Sequence, residues 1–279
     1  MIMLNLKKYS LNDYKEFELI RDSKNEPFYS KLVSLSASIN SQFTAYISNT
    51  RPFAAHNLTA LTVDTSQKSA LLVCYSSKTK ALVLLKKNIR DFQEENTRAM
   101  CQSCGLDSAP TFDHYLPQSL FPEFAVMPAN LVPSCGTCNT IKDNGVLDEN
   151  GNRKFIHYYF DNLPDTQFLH LDLIYRNEVP TVSFKLLNNT SINPDLFDLI
   201  KNHFTHLNLL NRYKEKFPNI HSRAVSRIKN ARTLKRNPRS IKRFLEDEAI
   251  SIKQINGINF WEAIIYDELS KSSQFINQF

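Results

Sequence analysis

The stretch CQSCGLDSAPTFDHYLPQ, residues 101–118, decides how this chain is read. It opens on the pair Cys101 and Cys104, runs into a short β-prone segment, and sets Asp113 beside His114. A second pair, Cys135 and Cys138, follows in CGTCNTIK, residues 135–142. Two residues between thiolates let a tight turn bring both sulfurs onto one ion, and Gly105 and Gly136 suit the bends this requires. Four sulfurs complete a closed tetrahedral shell, the arrangement of a structural rather than a catalytic zinc. The fifth cysteine, Cys74, lies in the apolar run ALLVCY and is expected to be a core thiol.

The gap between the two pairs is 30 residues, against ~15–20 in a simple zinc ribbon. Something is inserted between the knuckles. TFDHYLP reads as one short strand, in which Asp113 and His114 would point to opposite faces if fully extended. Asn130-Leu131-Val132-Pro133 reads as a second extended run leading to Cys135. Asn139 and Lys142 then fall at the start of a short helix, so the order is knuckle, strand, strand, knuckle, helix.

Working outward, the segment stands apart from its flanks. Four of the five glycines lie between residues 105 and 151, with Pro110, Pro117, Pro122, Pro128 and Pro133. Such a stretch is a compact, turn-rich module in a more regular chain. Residues 10–23 and 27–47 show helical spacing, for example at Phe28, Leu32, Leu35 and Ile39, and 66–95 suggests one or two further helices. QFLHLDLIYRNEVPTVSFKLL, residues 167–187, reads as a hairpin broken at Arg-Asn-Glu. Helical patterns return from 194, and Asn259 with Glu262 resembles a capping box before the last helix.

These signals give an α+β chain in three parts: a mainly helical region at 1–99, the cysteine-framed module at 100–160, and a hairpin followed by basic helices at 161–279. Hydrophobic content of 42% and charged content of 22% are ordinary for a soluble folded protein. The apolar start of the chain is too short for a secretory signal, and ALLVCY and ALVLL are too short to span a bilayer. A cytoplasmic address with no membrane partner is the expectation. In a reducing compartment, paired cysteines bind metal more often than they form disulfides.

The module resembles the HNH nuclease family. The residues that carry the resemblance are Cys101-x-x-Cys104, Asp113-His114-x-x-Pro117, Asn130-Leu131 and Cys135-x-x-Cys138-Asn139-x-x-Lys142, a span of 42 residues out of 279. The resemblance implies a ββα-metal core with a structural four-cysteine zinc site, embedded between the helical flanks. It implies that His114 is the general base, that Asp113 and Asn139 hold a catalytic Mg²⁺ (with Mn²⁺ as a substitute), and that Asn130 fixes the loop facing the base. Lys142, one turn beyond Asn139, is either a phosphate ligand or an exposed helix lysine. Asn in place of His at the last motif position favours hard cations. His157 reads as a packed or surface histidine and not as a further ligand.

The implied reaction is hydrolysis of a phosphodiester in nucleic acid, DNA ahead of RNA or tRNA. The other reading is a zinc-stabilised binding module without turnover. More loosely, the layout resembles nuclease subunits of bacterial antiviral defence, which work beside an ATPase. This chain has no P-loop of its own, so such an ATPase partner would act in trans.

Charge placement adds a second expectation. The chain carries a net charge of +6, yet residues 101–150 hold six acids and one base, Lys142. Affinity for a polyanion must therefore come from the flanks. Residues 216–245 contain ten Lys and Arg and no acid. Arg223, Arg227, Lys229, Arg232, Lys235, Arg236, Arg239, Lys242 and Arg243 are the expected nucleic-acid contacts, with a helix restart at Pro238 after Asn237.

Overall fold

A computed structural model describes residues 4–9, 12–50, 53–177, 179–188, 192–230 and 237–279. It is an α+β structure that divides into two compact units, Asn5–Asn162 and Leu163–Phe279.

In the first unit, α1 (Asp13–Arg21) and α2 (Phe28–Ser48) pair. Leu32, Leu35, Ile39, Phe43 and Tyr46 are the buried face of α2, spaced three and four residues apart as one helical stripe requires. The expected helical stretch at 66–95 is two helices, α3 (Thr65–Ser76) and α4 (Lys80–Asp91), followed by the single turn α5 (Glu95–Arg98). The Asp64 side chain caps α3 reciprocally with Gln67, and Thr79 caps α4. Cys74 is a buried free thiol on α3.

The cysteine-bearing segment follows in the same unit. Strands β1 (Thr111–His114) and β2 (Leu131–Ser134) pair antiparallel, with Asp113 opposite Val132 and His114 opposite Leu131. Helix α6 (Gly136–Lys142) leaves directly from β2. Phe124, in the long loop between the strands, packs against Phe43 and Tyr46 of α2 at ring separations of 6.0 and 5.1 Å. That contact anchors the β1–β2 loop to the helical layer.

The second unit opens with the expected hairpin, β3 (Leu169–Arg176) and β4 (Val179–Leu186). Helices α7 (Pro194–His206), α8 (Leu209–Asn230), α9 (Pro238–Asn256), α10 (Trp261–Lys271) and the short α11 (Ser273–Ile276) complete it. Helix α9 does restart at Pro238, and Asn237 Oδ1 accepts the amide of Arg239 at 2.9 Å.

The capping box at Asn259 is a misreading. Asn259 is buried and precedes the N-cap position of α10, which is Phe260 and has no side-chain cap. Its Oδ1 accepts the amides of Phe168 and Leu169 at 2.7 and 3.0 Å, and its Nδ2 donates to Thr166 O. Buried backbone amides at the entry to β3 need an acceptor, and this side chain supplies it. Among the described residues, no helix is long and apolar enough to cross a membrane.

Candidate functional site

Cys101, Cys104, Cys135 and Cys138 are all buried, and their sulfurs lie within 4.8 Å of one another. A tetrahedral zinc with bonds of ~2.3 Å sets its sulfurs ~3.8 Å apart, and Cys104 Sγ and Cys135 Sγ stand at 3.9 Å. The backbone aims the sulfurs inward. Leu106 N donates to Cys104 Sγ at 3.4 Å, and Cys138 N to Cys135 Sγ at 3.3 Å, where that sulfur also caps α6. A closed all-sulfur shell with N–H···S support fits a structural metal such as zinc.

A cleft of about 700 Å³ lies beside this cluster, and Asp113, His114 and Asn139 all border it. Thr111 and Phe112 border it too. Residues of both parities therefore reach it: the cleft wraps the end of β1, and the alternation expected of Asp113 and His114 does not separate them.

His114 is buried, and its Nε2 lies 2.8 Å from Ala125 O. Burial pushes its pKa down to about 4; the bond to Ala125 opposes this, and Lys142 and Lys86 reinforce it. The ring is therefore neutral at pH 7. A carbonyl only accepts, so Nε2 carries the proton and Nδ1 keeps its lone pair. The Tyr75 ring holds the imidazole from the side, edge-on at 4.3 Å.

Lys142 is neither exposed nor open to a phosphate, which corrects both readings of its sequence position. It is buried on α6, with Nζ 3.1 Å from Asp113 Oδ1 and 2.7 Å from His114 O. A strand carbonyl and a buried carboxylate need a cation more than solvent does. Burial raises the pKa of Asp113, and Lys142 opposes the rise. Asn139, half-buried on α6, presents its amide side chain one turn before Lys142.

Asn130 is fully buried and uses its whole side chain. Oδ1 accepts from Leu116 N at 2.8 Å and Tyr46 Oη at 3.3 Å; Nδ2 donates to Leu116 O at 3.0 Å and Phe124 O at 3.2 Å. Fixing Phe124 fixes its neighbour Ala125, whose carbonyl orients His114. His157 is a packed histidine: fully buried, with Nε2 2.9 Å from Tyr46 Oη and its amide donated to Asp161.

The sequence reading missed the contribution of the helical region. Tyr75 of α3 and Lys86 and Arg90 of α4 border the same cleft. Lys86 Nζ sits 3.7 Å from the centre of the Tyr75 ring, and the Arg90 guanidinium 4.5 Å from that of Phe112. The only signal was a pair of cations four residues apart in KKNIRD.

The basic segment is less bare than its composition suggests. Arg223 pairs with Glu262, and Arg227 bonds Glu248 through both terminal nitrogens. Lys242 pairs with Glu246, and Arg243 with Asp247. Lys229 and Arg239 form no such pair among the described residues. Arg232, Lys235 and Arg236 lie outside the described residues.

No family model matches the sequence, and no solved structure matches it. The chain is similar to protein ea31 of Escherichia phage lambda, with 27% identity over 232 residues, which takes in 75% of this chain and 77% of that protein.

Proposed function

We propose that this chain is a metal-dependent endonuclease of the HNH type that hydrolyses phosphodiester bonds in nucleic acid, with DNA the favoured substrate. The observation that carries the reading is His114: a neutral imidazole whose proton is fixed on Nε2 by Ala125 O, in a cleft shared with Asp113 and Asn139. The strand–strand–helix order over a four-cysteine cluster supports the ββα-metal reading of the fold.

His114 Nδ1 takes a proton from a water, whose oxygen attacks the phosphorus. The bond to the 3′ oxygen breaks, and that oxygen takes a proton from solvent water, leaving a 3′-hydroxyl and a 5′-phosphate. The Asp113 carboxylate and the Asn139 amide oxygen would hold a hard divalent cation such as Mg²⁺, which would supply charge stabilisation during the displacement. Lys142 Nζ lies 3.1 Å from Asp113 Oδ1, which favours the ionised carboxylate against the effect of burial and keeps it in place. Asn130 and Tyr75 position the base. The cysteine cluster frames the hairpin and is kept apart from the chemistry, since a closed sulfur shell offers no open position.

The test is incubation of the full chain with plasmid DNA and with RNA, with Mg²⁺ and with chelator. Mg²⁺-dependent products ending in 5′-phosphate support the reading. No cleavage of either polymer, with metal content verified, opposes it.

A further inference from the structure

We infer that Lys86 and Arg90 form a phosphate-binding subsite in the cleft of Asp113, His114 and Asn139, gripping the nucleic-acid backbone beside the bond to be cut. The inference rests on the nuclease reading of that cleft and names the part of the site that holds the polymer.

The first ground is charge. Residues 101–150 contain a single Lys or Arg, Lys142. It is buried and already committed to Asp113 and to His114 O. Residues 101–150 therefore have no cation left for a polyanion. Among the described residues, Lys86 and Arg90 are the cations that border the cleft. Neither forms an ion pair with a carboxylate among the described residues, unlike Arg223, Arg227, Lys242 and Arg243.

The second ground is placement. Residues four apart on α4 share one side of the helix, where like charges oppose helix formation. Aromatic faces hold the two heads: the Tyr75 ring lies under Lys86, and the Phe112 ring under Arg90. Arg90 also donates to Pro110 O, which fixes the plane of its fork. A guanidinium held this way keeps further N–H groups for a bidentate phosphate contact, and the ammonium beside it adds a point charge. Burial lowers the pKa of both groups, and for Lys86 the neighbouring Arg90 adds to the effect. A bound anion relieves that repulsion. Tyr75 links the pair to the chemistry, because the ring under Lys86 also packs against His114.

The experiment uses the full chain carrying His114→Ala, alone and combined with Lys86→Gln, Arg90→Gln or both. Binding of a fluorescein-labelled 20-base-pair DNA duplex and of a 20-nucleotide RNA (lengths of about two helical turns suit the cleft and its surround) is measured across a salt series. We expect weaker binding of whichever polymer is bound, with the slope of log K against log salt reduced by about 1 for each cation removed. Lys86→Arg and Arg90→Lys, which keep the charges, should retain the slope. Melting curves confirm that each variant is folded. Unchanged affinity and slope in the folded Lys86→Gln, Arg90→Gln double variant overturns the subsite, as does no detectable binding of either polymer. The two readings separate cleanly. Loss of cleavage in His114→Ala with unchanged binding in the double variant sinks the subsite alone. Undiminished cleavage in His114→Ala, with binding that depends on Lys86 and Arg90, sinks the nuclease assignment and leaves the subsite standing.

Discussion

Asn130 holds Leu116 by both ends of its peptide: Oδ1 accepts the Leu116 amide at 2.8 Å while Nδ2 donates to the Leu116 carbonyl at 3.0 Å. Both residues are fully buried. The same amide reaches Phe124 O, so one side chain ties the exit of β1 to the loop whose Ala125 carbonyl orients His114.

Asn130→Ala should therefore be costly in two ways. It strands buried amide and carbonyl groups, at about 1–3 kcal/mol for each one left unsatisfied, and it frees the loop that fixes the His114 tautomer. Urea unfolding should show a loss of several kcal/mol, on the order of 2–5. Asn130→Asp keeps the acceptor oxygen but loses both donated bonds, and should be destabilised as well. A stability unchanged by Asn130→Ala would show that the loop is held by other contacts.

Lys142 and Asp113 make the second prediction. Removing one partner of a buried ion pair costs about 3–5 kcal/mol, whereas replacing both costs much less. Lys142→Met alone should destabilise the chain strongly, and Asp113→Asn together with Lys142→Met should recover much of the loss. A double-mutant cycle by chemical denaturation gives the coupling. Additive effects would mean that the two groups do not act as a pair.

The sulfur cluster makes the third. Structural zinc contributes on the order of 10 kcal/mol to small metal-bound domains at neutral pH. Elemental analysis should find one zinc per chain, and Cys101→Ser with Cys135→Ser should lose it. Hydrogen exchange should then rise across residues 101–142, while the hairpin at 169–186 keeps its protection. Equal melting of variant and wild type would remove the structural role.

His157 gives a pH signature. Burial, reinforced by Arg153, holds its folded pKa well below the usual value near 6.5. A histidine lowered on folding contributes stability that is complete above the unfolded value and is lost as pH falls. Between about pH 7 and about pH 5, wild type should lose more unfolding free energy than His157→Gln. His114 is common to both chains, so its own titration cancels in the comparison. Parallel pH dependences would exclude His157 as a contributor.

Much of the geometry is legible in the sequence because it is written in short spacings. The two C-x-x-C pairs report a shared sulfur cluster, which the four buried cysteines form. The alternation around 169–186 reports a hairpin, and Asn237-Pro238 reports a helix start. Asp113, His114 and Asn139 stand in one motif-bearing span and border one cleft. What escapes belongs to contacts between elements. Apolar periodicity says that Leu82, Leu85 and Ile89 of α4 are buried. It does not say that the cysteine-bearing hairpin lies beside Lys86 and Arg90. Lys142 looks exposed in sequence because burial of a lysine depends on a carboxylate from a different element, here Asp113 of β1. The run at 216–245 looks uniformly basic because the acids that meet Arg223 and Arg227 come from Glu262 and Glu248, later in the chain. Asn259 has the right neighbour for a cap, and only the fold reveals the amides of Phe168 and Leu169 waiting for it.

The central claim concerns one imidazole. General-base catalysis is worth about 10²–10⁴-fold in rate, and among the described residues that border the cleft His114 is the only neutral base. The decisive measurement is the rate of Mg²⁺-dependent cleavage of a labelled DNA duplex and of an RNA by His114→Ala, set against wild type at matched purity, zinc content and melting temperature. We expect the variant to bind nucleic acid as the wild type does and to cut it at least a hundredfold more slowly, about the lower bound for a lost base. Cleavage by His114→Ala at the wild-type rate would contradict the assignment of this cleft as a nuclease centre.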